Sequence, residues 1–257
     1  IISSSSTSNT RIPNAPLHSI VSTTQAMSLQ LPGFRFHPTG ESILTNPPLS
    51  WLLLLGALTA FAPMSIDMYL PSLPAIAAAF ATDPAAAQYT LASFFIGLAL
   101  GQAVYGPLAD RYGRKPPLYA GLALYIVASI GCALAPDIAT LTVLRFVQAI
   151  GGCAGVVIAR AVVRDRFDAR TSAKIYSLLM LVMGLAPILA PIMGGWILAL
   201  ASWRAIFGVL ALFGFATLLL SWRHLPATRP ANAIGDGGVG AALRVYGDLL
   251  RDRNFMG

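Results

Sequence analysis

The sequence predicts an all-α membrane protein built on six transmembrane helices. Three observations carry that prediction. Six apolar runs each approach the ~20 residues needed to cross a hydrocarbon core of ~30 Å. Only 11% of the chain is charged while 56% is hydrophobic, against about 25% charged residues in ordinary soluble domains. The basic residues fall between the apolar runs and alternate with loop parity.

Residues 1–50 are rich in Ser, Thr, Pro and Asn without an apolar period and read as a disordered tail. The chain opens on Ile rather than Met, so its start is expected upstream or at Met27. No basic segment leads into an apolar stretch there, and no signal peptide is expected. Six spans follow over residues 51–70, 88–108, 117–135, 138–161, 175–200 and 203–222. Helices are expected, since a barrel would show alternating strands of about 10 residues. Pro71 and Pro74 close the first span, with a short helical extension through Phe80. Residues 223–257 read as a polar linker with an amphipathic stretch around 241–250.

Orientation follows from the bases. Residues 81–87 contain none, the next connection contains Arg111, Arg114 and Lys115, and the next only Asp137. Arg164, Arg166, Arg170 and Lys174 follow; Arg204 stands alone after the fifth span, and five arginines lie beyond the sixth. The positive-inside rule therefore places the even connections and both termini in the cytoplasm, which requires an even number of spans.

Several function classes drop out. The net charge of +7 is not gathered on a basic helix with interleaved aromatics, so no nucleic acid partner is expected. Cys132 and Cys153 lie inside apolar runs and read as free thiols, without a metal site. His18, His37 and His224 lie outside the spans and apart, and no enzyme constellation or nucleotide-binding loop is present. No cofactor is expected.

Two charges lie well inside apolar runs, Asp67 in the first span and Arg145 in the fourth. A charge at bilayer depth costs at least ~2.5–3.5 kcal/mol, so such groups are functional candidates. A carboxyl in a low-dielectric cavity can exchange a proton near neutral pH. Arg145 shares a helix face with Gln148, Gly152, Gly155 and Ala159, polar first and then small, so Arg145 and Gln148 can face a wet cavity while the small residues permit close helix contact. Gly97 with Gly101 and Gly151 with Gly155 are further small pairs. The fifth span carries Gly184, Pro187, Pro191, Gly194 and Gly195, and reads either as a kinked, closely packed helix or as a hinge or seal.

The connection Gly106-Pro107-Leu108-Ala109-Asp110-Arg111-Tyr112-Gly113-Arg114-Lys115-Pro116 resembles the signature between the second and third helices of the major facilitator superfamily. Arg145-x-x-Gln148-x-x-Gly151-Gly152 is similar to the fourth-helix motif of its drug:proton antiporters, with Ala149 where many members have Gly. Ala190-Pro191-x-x-Gly194-Gly195 resembles the fifth-helix antiporter motif, with Ala190 for the usual Gly. Asp67-Met68-Tyr69-Leu70-Pro71-x-Leu73-Pro74 is similar to the first helix of the bicyclomycin-resistance branch. Residues 31–41 resemble the opening of a plant NAC DNA-binding domain, the rest of which is absent.

The superfamily resemblance implies two six-helix halves, each a pair of inverted three-helix repeats, with substrate bound between them. Residues 51–222 would form the N-terminal half and 223–257 a cytoplasmic linker toward a missing second half or a second half-transporter. It implies a proton-coupled efflux protein for drug-like small molecules in a bacterial inner membrane, driven by the proton gradient. By that resemblance Asp67 would be the proton or cationic-substrate site, with Arg145 and Gln148 in coupling. Gly106, Asp110, Arg111, Gly113, Arg114 and Lys115 would form the cytoplasmic gate motif, Asp110 with Arg111 and Arg114 latching it. Pro187, Pro191, Gly194 and Gly195 would seal against the other half. Two alternatives stand beside this reading: a metabolite or sugar carrier of the same fold, and a non-transporting membrane fragment or assembly partner.

Overall fold

A computed structural model describes residues 47–225. The expectations for residues 1–46 and 226–257, among them His18, His37, the 31–41 segment and the stretch at 241–250, lie outside the described residues.

Every described span is helical. The first comprises α1 (Leu49–Asp67), a 3₁₀ turn at Leu70–Ser72 and α2 (Leu73–Ala79). The others are single helices: α3 (Pro84–Tyr112), α4 (Lys115–Leu134), α5 (Ile138–Arg166), α6 (Ala169–Leu200) and α7 (Trp203–His224). Among the described residues six spans are long and apolar enough to cross a membrane.

Local chemistry starts and stops these helices. Asp83 accepts from the Ala85 N–H at 2.7 Å, with Pro84 opening α3. Asp137 caps α5 through the Thr140 N–H and hydroxyl, at 2.8 and 2.9 Å, and these bonds hold its carboxyl below the usual range. Asp168 caps α6 through Thr171 and is lowered in the same way. α3 ends at Gly113, whose φ of 83° suits a residue without a Cβ.

The spans pack with an internal two-fold pattern. The second lies on the fourth as the fifth lies on the first; the third touches the fourth as the sixth touches the first. The first also meets the fourth, and the third meets the sixth. This is the arrangement expected of two inverted three-helix repeats. The fourth span is the hub: 67% of its most apolar window is buried, against 22% for the second and 17% for the fifth.

Glycines set the hub's spacing. A Cβ on Gly151 would lie 2.5 Å from the Tyr125 nitrogen and 2.7 Å from the Gly121 carbonyl oxygen. One on Gly155 would lie 2.6 Å from the Leu58 carbonyl oxygen, and one on Gly97 2.5 Å from that of Phe146. In lipid, where no hydrophobic force separates helix from solvent, such close backbone approach supplies the association energy. The small-residue pairs of the second and fourth spans are therefore contact surfaces.

We predict that Gly151→Ala, which forces a methyl between two backbones, costs about 1–3 kcal/mol, read as a lowered thermal midpoint in detergent. Gly208→Ala, with nothing within 4 Å of the new methyl, is expected to leave that midpoint unchanged or slightly raised.

Candidate functional site

The side chain of Arg145 is fully buried, with 0% of its surface exposed. It donates from one terminal nitrogen to Gln148 Oε1 at 2.7 Å and from the other to the Ser65 carbonyl at 3.1 Å. Gln148 donates onward to Ser129 Oγ at 2.7 Å, and Ser129 Oγ donates to the Tyr125 carbonyl at 2.7 Å. The Tyr125 and Ser65 hydroxyls meet at 2.7 Å. The guanidinium carbon lies 4.2 Å from the centroid of the Phe94 ring, 4.4 Å from that of Tyr69 and 5.8 Å from that of Phe207. Side chains from spans one, two, three, four and six thus converge on one cation. Among the described residues Nε of Arg145 has no acceptor and no carboxylate pairs with the group. Carbonyl dipoles and aromatic faces stabilise the charge instead, each desolvated cation–π contact contributing up to ~2 kcal/mol.

This differs from the expectation that Arg145 and Gln148 face a wet cavity. They point into the packed seam among the helices. Among the described residues, cavities of about 630 and 320 Å³ open on the bundle, and neither of these linings includes Asp67 or Arg145.

Asp67 is the last residue of α1, yet the helical path continues through the 3₁₀ turn and α2, so it is residue 19 of a 31-residue span. It therefore lies within the span and not at its outer end. Pro71 and Pro74 cannot donate backbone bonds, which explains the break just beyond it. Arg145 grips the carbonyl of Ser65, two residues before Asp67. Two residues turn a helix by about 200°, so the Asp67 side chain leaves the opposite side. Asp67 is half-buried.

The six described carboxylates are Asp67, Asp83, Asp110, Asp137, Asp165 and Asp168. Three are helix caps and two pair with Arg114, which leaves Asp67 without a hydrogen bond or ion pair among the described residues.

At the opposite end of the helices, Arg114 is 3% exposed. It meets Asp110 Oδ1 at 2.8 Å and places both Nε and a terminal nitrogen 2.8 Å from Asp165 Oδ2. Burial alone would lower its pKa, but the hydrogen bonds and charges of the two aspartates hold it above the usual arginine value. Arg111 takes no part in this cluster; it lies 5.3 Å over its neighbour Tyr112. Of the latch implied for Asp110 with Arg111 and Arg114, the Asp110–Arg114 pair is present, Asp165 joins it, and Arg111 stands apart. Among the described residues Lys115 begins α4 without an ion pair, and Gly106 has nothing within 4 Å of a notional Cβ.

On α6 the motif residues divide. Gly194 is buried, where a Cβ would run into the Met68 carbonyl; Pro187 is exposed, and Gly184 and Gly195 have open space before them. Gly194 thus serves packing inside the bundle and not an outward seal. Asp165, Phe94, Tyr125, Ser65, Ser129 and Phe207 escaped the sequence reading, and Tyr69 entered it as a motif residue without a role. Asp165 could have been found, as an acid set among the bases of its connection.

Comparison with known proteins then places the chain. The model of the Major Facilitator Superfamily matches residues 40–256. The chain belongs to the Major Facilitator Superfamily. It is 40% identical over 223 residues to YdgK of Bacillus subtilis, named an uncharacterized MFS-type transporter, covering 86% of this chain and 54% of that protein. It is 38% identical over 178 residues to a bicyclomycin resistance protein homolog of Haemophilus influenzae, covering 69% and 45%. It is 39% identical over 181 residues to multidrug resistance protein MdtL of Escherichia coli, covering 70% and 46%. The chain spans about half the length of the curated relatives it matches.

Asp165→Asn removes the acceptor of two Arg114 bonds and is expected to destabilise the chain by roughly 1.5–3 kcal/mol. Asp110→Asn, whose side chain is 54% exposed, should cost no more than about 1 kcal/mol. Thermal unfolding of the two variants in one detergent, ranked against the parent, checks the order.

Proposed function

We propose that this chain supplies the N-terminal half of a proton-coupled exporter of drug-like small molecules, resident in a bacterial inner membrane with both termini cytoplasmic. The observation that carries the proton role is Asp67. Each other described carboxylate has a cap or an ion pair, while Asp67 sits within the first span without either. A carboxyl within a span, engaged by no cap or ion pair, is the group through which a gradient can drive a proton. The export reading and its substrate class lean on the relatives named for multidrug and bicyclomycin resistance.

Arg145 and Gln148 act from behind the site. They fix the Ser65 carbonyl and so the angle at which the broken first span presents Asp67. The Arg114 cluster, with Gly106, Arg111, Gly113 and Lys115 around it, works as the cytoplasmic gate. The exposed faces of α6 and α3 are covered by a second six-helix half, in keeping with relatives about twice as long. Pro187, Pro191 and Gly195 lie toward that partner. The proton gradient is the energy source and no cofactor takes part.

In inverted vesicles carrying this half joined to a second one, Asp67→Asn is expected to abolish proton-driven accumulation of the exported drug at unchanged protein level. Wild-type accumulation by that variant would refute the proton role. A panel showing unaltered drug tolerance with altered metabolite flux would instead favour a metabolite carrier. Arg145→Lys keeps the charge but cannot hold Gln148 and the Ser65 carbonyl in one plane. We expect it to lower the transport rate at least tenfold while cell-surface expression persists, as measured by uptake in the same vesicles.

A further inference from the structure

The cavity of about 320 Å³ lies between α3, α5 and α6 near the basic ends of the helices. Its lining includes Gln102, Asp110, Arg114, Arg160, Arg164 and Tyr176. The three arginines differ in how their charge is met. Arg114 is fully engaged by Asp110 and Asp165. Arg164 lies 3.7 Å from Asp165, too far for a hydrogen bond, and 70% of its side chain is exposed. Arg160 makes no ion pair among the described residues. Arg160 and Arg164 are four residues apart on one helix, an unfavourable like-charge spacing unless something anionic lies between them. Tyr176 donates from its hydroxyl to the Arg160 carbonyl at 3.2 Å and fixes that wall. Arg160 is six residues before the end of α5, about 9 Å along the axis. A guanidinium at that depth lies at headgroup level if the basic end faces the cytoplasmic leaflet, the orientation this inference rests on.

We propose that this cavity binds a phosphate-type anion, held by Arg160 and Arg164. Two guanidinium forks match phosphate oxygens in number and geometry. Basic pockets between transmembrane helices on the cytoplasmic side accept lipid headgroups by this chemistry. The anion comes either from a phospholipid headgroup or from a soluble phosphate.

The test uses the full chain purified in a nonionic detergent. It is titrated separately with phosphatidylglycerol, phosphatidylcholine and inorganic phosphate, and bound species are counted by native mass spectrometry. The parent is expected to retain phosphatidylglycerol at least fivefold over phosphatidylcholine, and Arg160→Gln with Arg164→Gln is expected to erase that preference. Arg170→Gln with Arg223→Gln removes the same charge elsewhere and should preserve it. Arg160→Lys with Arg164→Lys keeps the charge and should retain most of it, which guards against a folding artefact. Displacement by millimolar inorganic phosphate would mark a soluble anion as the source, and its failure would mark lipid; both support the site. Equal preference in the parent and the Arg160→Gln, Arg164→Gln variant would overturn it, as would equal loss in the Arg170→Gln, Arg223→Gln control.

Discussion

The bundle depends on keeping one cation in a place where cations are costly. Arg145 carries its charge inside the packed seam, with no carboxylate paired to it among the described residues. That is tolerable because its environment is electron-rich from two directions. Amide and carbonyl oxygens accept from the guanidinium, and ring faces lie near it. Each of those groups comes from a different helix or a different turn, so the charge is stable when the helices are in register. Burying it makes correct assembly of five spans a condition for satisfying one side chain.

The anions show a matching economy. Five of the six described aspartates start helices or neutralise Arg114, all at helix ends. Caps and ion pairs at the ends stabilise without entering hydrocarbon. The sixth, Asp67, is inside the span and has been given no structural duty. Charge is thus used sparingly within the described spans.

Much of this was legible in the sequence. The number of spans and their helical nature follow from what lipid permits. Their boundaries were less so: hydropathy placed the second span at 88–108, whereas α3 runs Pro84–Tyr112, because a helix continues past the hydrocarbon that hydropathy senses. The fourth span likewise extends to Arg166. Arg145, Gln148 and Asp67 could be singled out because charge is rare in apolar runs. Their surroundings could not, since Tyr69, Phe94 and Phe207 share no local spacing and meet in space alone. Asp165 pairs with a residue 51 positions away, a distance no motif covers. Gly106 is the converse case: its motif is plain in the sequence, yet nothing in this bundle touches the place where its side chain would be.

The fourth span, α5, joins two of these features mechanically. Arg145 and Asp165 lie 20 residues apart on α5, about 30 Å along a helix that contains no proline. Around this rod α1, α3 and α6 carry internal prolines, at which a helix can bend. α5 has no such joint. A tilt that pulled Asp165 from Arg114 at one end would therefore swing the guanidinium of Arg145 against the Ser65 carbonyl at the other, and the stroke would arrive beside Asp67. The helix is a lever whose two ends are already loaded.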